Sequence, residues 1–228
     1  MNKDLETINA LKLIPSAACL DVLDAMGYTN TQMLGVRSMI KGQKLVGRAV
    51  TVRFVPSRPD LRSKVIGGEG SAEYQAIELC NANDVLVMDT MRAGAPSAAG
   101  DIKLSRLAKR ASAGVVTDGG IRDLEALQKL NIGVFASQET NMTMPSHILP
   151  SDYQVNIQCG GVLVMPGDYL TADDGGVVVI PKGLVGEVVK QAQRHELMEA
   201  AIKHQLETEN VSPGKYYPFN EETKRLLN

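Results

Sequence analysis

Residues 115–123 read Val-Val-Thr-Asp-Gly-Gly-Ile-Arg-Asp. An apolar run stops at two glycines, and the opposite charges of Arg122 and Asp123 follow at once. One reading is a solvated strand-to-helix connection with Asp123 as the helix N-cap. The other is a site for an anion and a metal. The planar guanidinium of Arg122 suits a carboxylate, and Asp123 beside it can ligate a cation. Asp101 lies upstream at the spacing D-x(20)-R-D. It follows Gly100 at the end of a small-residue stretch, AGAPSAAG, and opens a helical pattern. The backbone N–H groups at Asp101, Ile102 and Lys103, with the helix dipole, then form an anion site; the alternative is an ordinary βα loop. A centre with few carboxylates, completed by water and substrate oxygens, suits Mg²⁺.

The elements around these residues must bring 101 and 122 together. Residues 84–136 alternate strand and helix: strand 84–89 (DVLVMD), helix 101–113, strand 115–118, helix 123–130 and strand 132–136. That order predicts a parallel sheet with helices packed on it. Loops after consecutive parallel strands open on one crevice, so Arg122 can face the amides at 101–103. Upstream, helices are expected over 3–14 and 16–26, a strand over 44–56, a loop over 57–71 and a helix over 72–81. Downstream, VLVMPGDYLTADDGGVVVIP (162–181) has two apolar runs around an acidic turn, as in antiparallel pieces. A long amphipathic helix is expected over 184–210, with an irregular tail from 211. Residues 1–228 read as a single α/β domain, with N-terminal helices over 1–40 and a C-terminal helix and tail over 184–228.

Composition narrows the function classes. A formal net charge of −2 offers no footprint for nucleic acid or an anionic membrane. No 18-residue apolar stretch and no secretory signal pattern is present. The three cysteines, Cys19, Cys80 and Cys159, are widely spaced and form no C-x-x-C. Reduced, mostly buried thiols and a cytoplasmic location are expected.

The same residues carry a resemblance. D-x(20)-R-D, AGVVTDGGIRD, the DVLVMD strand and CGGVLVMPGDYLTADDGGVVVIP (159–181) are similar to the RraA-like proteins, over roughly residues 40–190. That family includes class II 4-hydroxy-4-methyl-2-oxoglutarate/4-carboxy-4-hydroxy-2-oxoadipate aldolases. The resemblance implies an α/β/β sandwich like the swivelling phosphohistidine domains, and a homotrimer or a hexamer built as a dimer of trimers. It implies a pyruvate-forming aldolase dependent on Mg²⁺, Mn²⁺ or another divalent cation, acting on a small 2-oxo acid, with oxaloacetate decarboxylation through the same enolate. Arg122 would bind the carboxylate and keto oxygen. The amides of Gly100, Asp101, Ile102 and Lys103 would hold the same carboxylate. Asp123 would be the direct metal ligand, Asp101 would assist proton transfer through metal-bound water, and a neighbouring subunit would add an acidic residue. Lys103 stands where the family pattern has an apolar residue; a Schiff base there is the competing chemistry. The competing function is a non-catalytic regulator that binds a ribonuclease or helicase.

Other candidates have plainer readings. His147 is expected in a loop or interface, and His195 and His204 on the surface of the last helix. Asp173-Asp174-Gly175-Gly176 reads as a tight turn rather than a cation loop. Met88, Met91, Met142, Met144 and Met165 read as packing residues.

Overall fold

A computed structural model describes residues 3–62, 64 and 68–226. Part of the expected 57–71 loop and both chain ends lie outside the described residues. Helices α1 (Lys3–Lys12) and α2 (Ser16–Ala25) open the chain, followed by strands β1 (Arg37–Ser38) and β2 (Leu45–Pro56). Helices α3 (Pro59–Arg62) and α4 (Ala72–Leu79) lead to β3 (Asp84–Asp89). Next come β4 (Ser97–Ala99), α5 (Asp101–Lys109), β5 (Gly114–Thr117), β6 (Gly120–Ile121) and α6 (Leu124–Leu127). Strands β7 (Gly133–Ala136), β8 (Gln138–Glu139), β9 (Ile148–Tyr153), β10 (Ile157–Cys159) and β11 (Val162–Val164) follow. The hairpin β12 (Tyr169–Asp173) and β13 (Gly176–Ile180) precedes α7 (Val185–Thr208) and α8 (Glu221–Arg225).

The main sheet runs β1-β7-β5-β3-β2-β12-β13, with β9 also paired to β2. Strands β7, β5, β3 and β2 are parallel, and the β12–β13 hairpin returns antiparallel. Both expectations, parallel over 84–136 and antiparallel over 162–181, are met. The sequences DVLVMD, GVVT and GVFA are buried along their whole length, as a strand covered on both faces requires. On one face, Leu86, Met88 and Val115 pack against Ile77 of α4, Leu104 and Leu107 of α5, and Leu127 of α6. On the other, Val85, Val87 and Phe135 pack against Cys159, Val162 and Val164 of the β10–β11 hairpin. The result is the α/β/β layering expected. A third cluster joins α1, α2 and α7 to β2 and β13 through Leu11, Leu23, Val46, Ile180 and Val188.

The structure departs from the sequence reading in several places. Strands β4, β6 and β8 form a second, parallel three-stranded sheet inside stretches expected to be loops. Helix α5 stops at Lys109 rather than 113, because Ala111 adopts a left-handed backbone with φ 58° and turns the chain early. Helix α6 is one turn rather than the span 123–130. The tail, expected to be irregular, holds α8, whose start is fixed by a reciprocal cap between Asn220 and Thr223. Phe219 packs edge-on against His195, with ring centroids 4.7 Å apart, so His195 is half-buried rather than a surface residue. His147 and His204 are exposed. Of the methionines, Met88 is buried and Met144 packs on the core, but Met91, Met142 and Met165 are exposed; Met91 lies in a left-handed turn and cannot reach the core.

The three cysteines are free and buried. Burial pushes the thiols of Cys19 and Cys80 up to about 11 and about 12, and holds that of Cys159 well above its ordinary range.

The acidic turn at 173–176 is structural, as expected. Asp173 accepts the Ser16 amide at 2.8 Å and its hydroxyl at 2.6 Å, and lies 3.2 Å from the Lys44 ammonium. Asp174 accepts the Gly42 amide at 2.9 Å. Burial opposes ionisation of Asp173, but the Ser16 and Lys44 contacts outweigh it and hold the carboxyl below its usual value. A depressed folded value means stabilisation that is present above the ordinary carboxylate range and lost as pH falls below it. Asp173→Asn should therefore cost about 1 kcal/mol at neutral pH. In urea unfolding at pH 7 and again near pH 3, the gap to wild type should close at the lower pH.

Candidate functional site

The second sheet assembles the site. Three of the four parallel strands of the main sheet are followed in the chain by a short strand of the second sheet: β3 by β4, β5 by β6, β7 by β8. Ala99 and Ile121 are register partners between β4 and β6, and the Arg122 amide donates to the Ala99 carbonyl at 3.1 Å. Residues just beyond those partners are thereby adjacent: Gly100-Asp101 on one strand, Arg122-Asp123 on the other. Gly119 and Gly120 permit this approach. A Cβ on Gly119 would lie 2.7 Å from the Thr90 hydroxyl, and one on Gly120 would lie 2.4 Å from the Thr140 methyl. Asp118 locks the corner. Its buried carboxylate accepts from the Thr90 amide and hydroxyl, the Arg92 and Gly160 amides, and the Gln158 side chain, at 2.7–3.2 Å.

Asp123 stands at the first position of α6, but its side chain does not cap that helix. Its backbone is left-handed, with φ 60° and ψ 37°, a conformation that Asp tolerates better than most residues. The carboxylate turns instead to the start of α5 and meets the Asp101 amide at 3.4 Å. Gly100 makes room: a Cβ there would be 2.5 Å from Asp123 Oδ2, although its own backbone, φ −145°, suits any residue. Asp101 bends back on its helix and accepts the Ile102 amide at 2.7 Å. Two of the expected amides thus face carboxylates rather than standing open. Arg122 Nε is buried and has no hydrogen-bond partner among the described residues, and Arg122 forms no ion pair among them. A buried donor left so costs about 1–3 kcal/mol.

These groups converge on one cavity of about 590 Å³, lined by residues 100–103, Arg122 and Asp123, with Tyr74, Met144 and Pro145 completing its wall. All six residues singled out from sequence, Gly100, Asp101, Ile102, Lys103, Arg122 and Asp123, line it. The sequence reading expected a helix over 72–81 but gave it no part in the site; the structure places α4 in the cavity wall. Tyr74 forms part of the wall, and Glu73, buried behind it, pairs with the Lys103 ammonium at 2.9 Å. A glutamate at an inward helical position has no sequence mark distinguishing it from an exposed one, so nothing signalled it. A cavity of similar volume, about 550 Å³, lies beside β9. It is lined largely by apolar side chains, and its Asp152 is already paired with Arg53 at 2.8 Å.

No group of three or more His, Cys, Asp and Glu side chains suited to a metal is present among the described residues. The acids available at the cavity are Asp101 and Asp123. Such a sparse donor set fits a hard cation that keeps most of its water, with Asp123 as the carboxylate that could hold it.

The family model described as RraA-like, Aldolase/RraA, matches residues 16–179. The chain belongs to the RraA-like family. A Halalkalibacterium halodurans relative that bears the provisional name 4-hydroxy-4-methyl-2-oxoglutarate aldolase is 29% identical over 214 residues, spanning 94% of each chain. Among solved structures, Streptomyces coelicolor RraAS2, described as an unusual member of the RNase ES inhibitor RraA family, superposes with a TM-score of 0.79 at 29% identity. The match covers 88% of this chain and 96% of that one. A Geobacillus kaustophilus protein named as an S-adenosylmethionine:2-dimethylmenaquinone methyltransferase superposes with a TM-score of 0.58 at 25% identity, covering 76% and 98%. The RraA-like frame thus carries several functional names, and no helix among the described residues is long and apolar enough to cross a membrane.

Because the Gly100 backbone suits any residue, a methyl group there perturbs Asp123 and little else. Gly100→Ala should keep its melting temperature within about 3 °C of wild type, which corresponds to less than about 1 kcal/mol. Its affinity for Mn²⁺, followed by the electron paramagnetic resonance of the free ion, should fall at least about tenfold, or about 1.4 kcal/mol.

Proposed function

We propose that the protein is a divalent-metal-dependent lyase that cleaves a 4-hydroxy-2-oxo acid to pyruvate, with oxaloacetate decarboxylation as a second activity. The observation that carries this reading is that the unpartnered Arg122 side chain and the Asp101 and Asp123 side chains line one cavity at the start of α5. The aldolase name of the 29%-identical relative supports it.

The residues divide the work by charge. Arg122 binds the substrate carboxylate and keto oxygen, and its buried Nε gains an acceptor as it does so. The amides at the start of α5 and the helix dipole add to the hold on that carboxylate. For this the Asp101 and Asp123 side chains give up their present amide contacts, which frees both for other roles. Asp123 would hold Mg²⁺ or Mn²⁺, which supplies Lewis-acid stabilisation of negative charge on the keto oxygen. Asp101 takes the proton of the 4-hydroxyl. The C3–C4 bond then breaks, its electron pair passes into the enolate of pyruvate, and C4 leaves as a carbonyl. Return of a proton to C3 completes pyruvate. Lys103 does not present itself as a Schiff-base nucleophile, because its ammonium is engaged by Glu73 and by the Ala98 carbonyl.

A trimer whose subunit clefts contain the site is part of the proposal. Ile102, 79% exposed at the cavity, and the exposed Met142, whose carbonyl accepts the amide of the cavity residue Ser97 at 3.0 Å, are apolar surface that a neighbour would cover. The Streptomyces relative's description as a member of an RNase inhibitor family favours a second reading, a regulator acting through its surface.

Arg122→Ala should lower kcat/KM for pyruvate release by about 10²–10³-fold, the range for loss of one charge-stabilising donor. Asp123→Asn keeps a side chain that tolerates the left-handed backbone, and should abolish the metal-stimulated rate while the circular dichroism spectrum is retained. A lactate-dehydrogenase-coupled assay over a panel of 4-hydroxy-2-oxo acids and oxaloacetate decides the matter. No turnover on any of them, with or without Mg²⁺ or Mn²⁺, sinks the catalytic reading. Recovery of a ribonuclease in a pull-down that Asp123→Asn does not affect would support the regulator.

A further inference from the structure

Building on the 2-oxo acid reading above, we infer that the substrate carries one carboxylate only: the end held by Arg122 is anionic, and the arm released is uncharged. Two cationic side chains line the cavity, Arg122 and Lys103, and a dicarboxylate would match them if both were available. They differ. Arg122 has a buried, unpartnered Nε. The Lys103 ammonium is 2.9 Å from Glu73, donates to the Ala98 carbonyl at 3.3 Å, and lies 5.6 Å from the centroid of the Tyr74 ring. The Lys103 and Glu73 side chains are 15% and 4% exposed. Water screens such a pair poorly, and its two charges chiefly neutralise each other.

The remaining direction of the Lys103 ammonium meets only the Met144 sulfur, at 4.0 Å, and a thioether is a weak acceptor. One oxygen of a hydroxyl or carbonyl on the ligand can replace that contact. A carboxylate there is disfavoured. The second oxygen of Glu73 is buried without a hydrogen-bond partner among the described residues, and another anion close to it is repelled in a region of low dielectric. Tyr74 and Met144 make the rest of this wall soft and largely apolar. The substrate class that fits is the aldol adduct of pyruvate and an uncharged aldehyde. Oxaloacetate, with its second carboxylate, is then the slower substrate.

Isothermal titration calorimetry with Mg²⁺ present tests this without turnover, using pyruvate, 2-oxohexanoate and 2-oxoglutarate. Pyruvate binding marks the 2-oxo acid site. The expected result is that wild type binds 2-oxohexanoate at least tenfold more tightly than 2-oxoglutarate. Glu73→Gln frees the Lys103 charge and should shift the ratio of the two affinities about tenfold toward 2-oxoglutarate. The double variant Glu73→Gln with Lys103→Met should shift it back. If wild type binds pyruvate yet holds 2-oxoglutarate as tightly as 2-oxohexanoate, the inference is overturned and the 2-oxo acid site stands. If pyruvate itself does not bind, the site reading falls and takes the inference with it. The wild-type comparison decides even where a variant fails to fold.

Discussion

The backbone pairing of Ala99 with Ile121 is the constraint on which the candidate site depends. Strands β4 and β6 have three and two residues, too few to be stable alone. They persist because each follows in the chain a wholly buried strand of the main sheet, whose register is fixed by its core. Once β3 and β5 are aligned, the Arg122 amide reaches the Ala99 carbonyl. Two segments distant in sequence then end side by side. The carboxylate of Asp118, buried and hydrogen-bonded from three backbone amides and two side chains, holds the same corner from behind. A buried carboxylate is tolerated only when it is satisfied in this way.

The cost of the arrangement is concentrated where the chemistry would be. Asp123 accepts a left-handed backbone worth about 1–3 kcal/mol of strain, and Arg122 keeps a buried donor unpaired. Neither is needed to fold the sheet, since neither side chain belongs to its core clusters. The Asp101 and Asp123 carboxylates lie at the positive end of α5, which favours anions by several tenths of a kcal/mol. Left-handed residues and unpaired buried atoms occur elsewhere in the fold, but here a strained carboxylate and an unpaired guanidinium nitrogen line the same cavity, a pairing expected of a functional site.

That contrast also explains what was legible in the sequence. DVLVMD and the apolar runs of 162–181 announce strands because burial on both faces demands unbroken apolar residues. The order of elements over 84–136 then implies parallel pairing. The group at 100–103 and 122–123 was legible because charged residues beside glycines at strand ends have few structural uses. Strands β4, β6 and β8 were not legible: Ser-Ala-Ala, Gly-Ile and Gln-Glu are too short to carry a periodicity. Nor was the inward turn of Glu73, since helical spacing ranks it with exposed glutamates, and only tertiary packing supplies its Lys103 partner. The tail is a different case. The Asn220–Thr223 cap is written in the sequence as N-x-x-T, but the helix it starts is five residues long, too short for a helical periodicity to show.

The cavity is built from two sources that can vary independently. Arg122 and Asp123 come from the β4–β6 corner, where Gly119 and Gly120 leave no room for larger side chains. A change there disturbs the strand pairing itself. Tyr74 and Glu73 come from α4, a separate element that meets the corner across the core and through Lys103 of α5. Substituting residues on that wall alters what can lie beside Arg122 without moving Arg122. A single frame can then serve ligands of different charge and size, in keeping with the several functional names its relatives carry. In this chain a half-buried lysine on that wall is matched by a buried glutamate, so the wall presents a hydrogen-bond donor rather than a net charge. Discrimination between substrates then falls to that matched pair, while recognition of the common carboxylate stays with the corner.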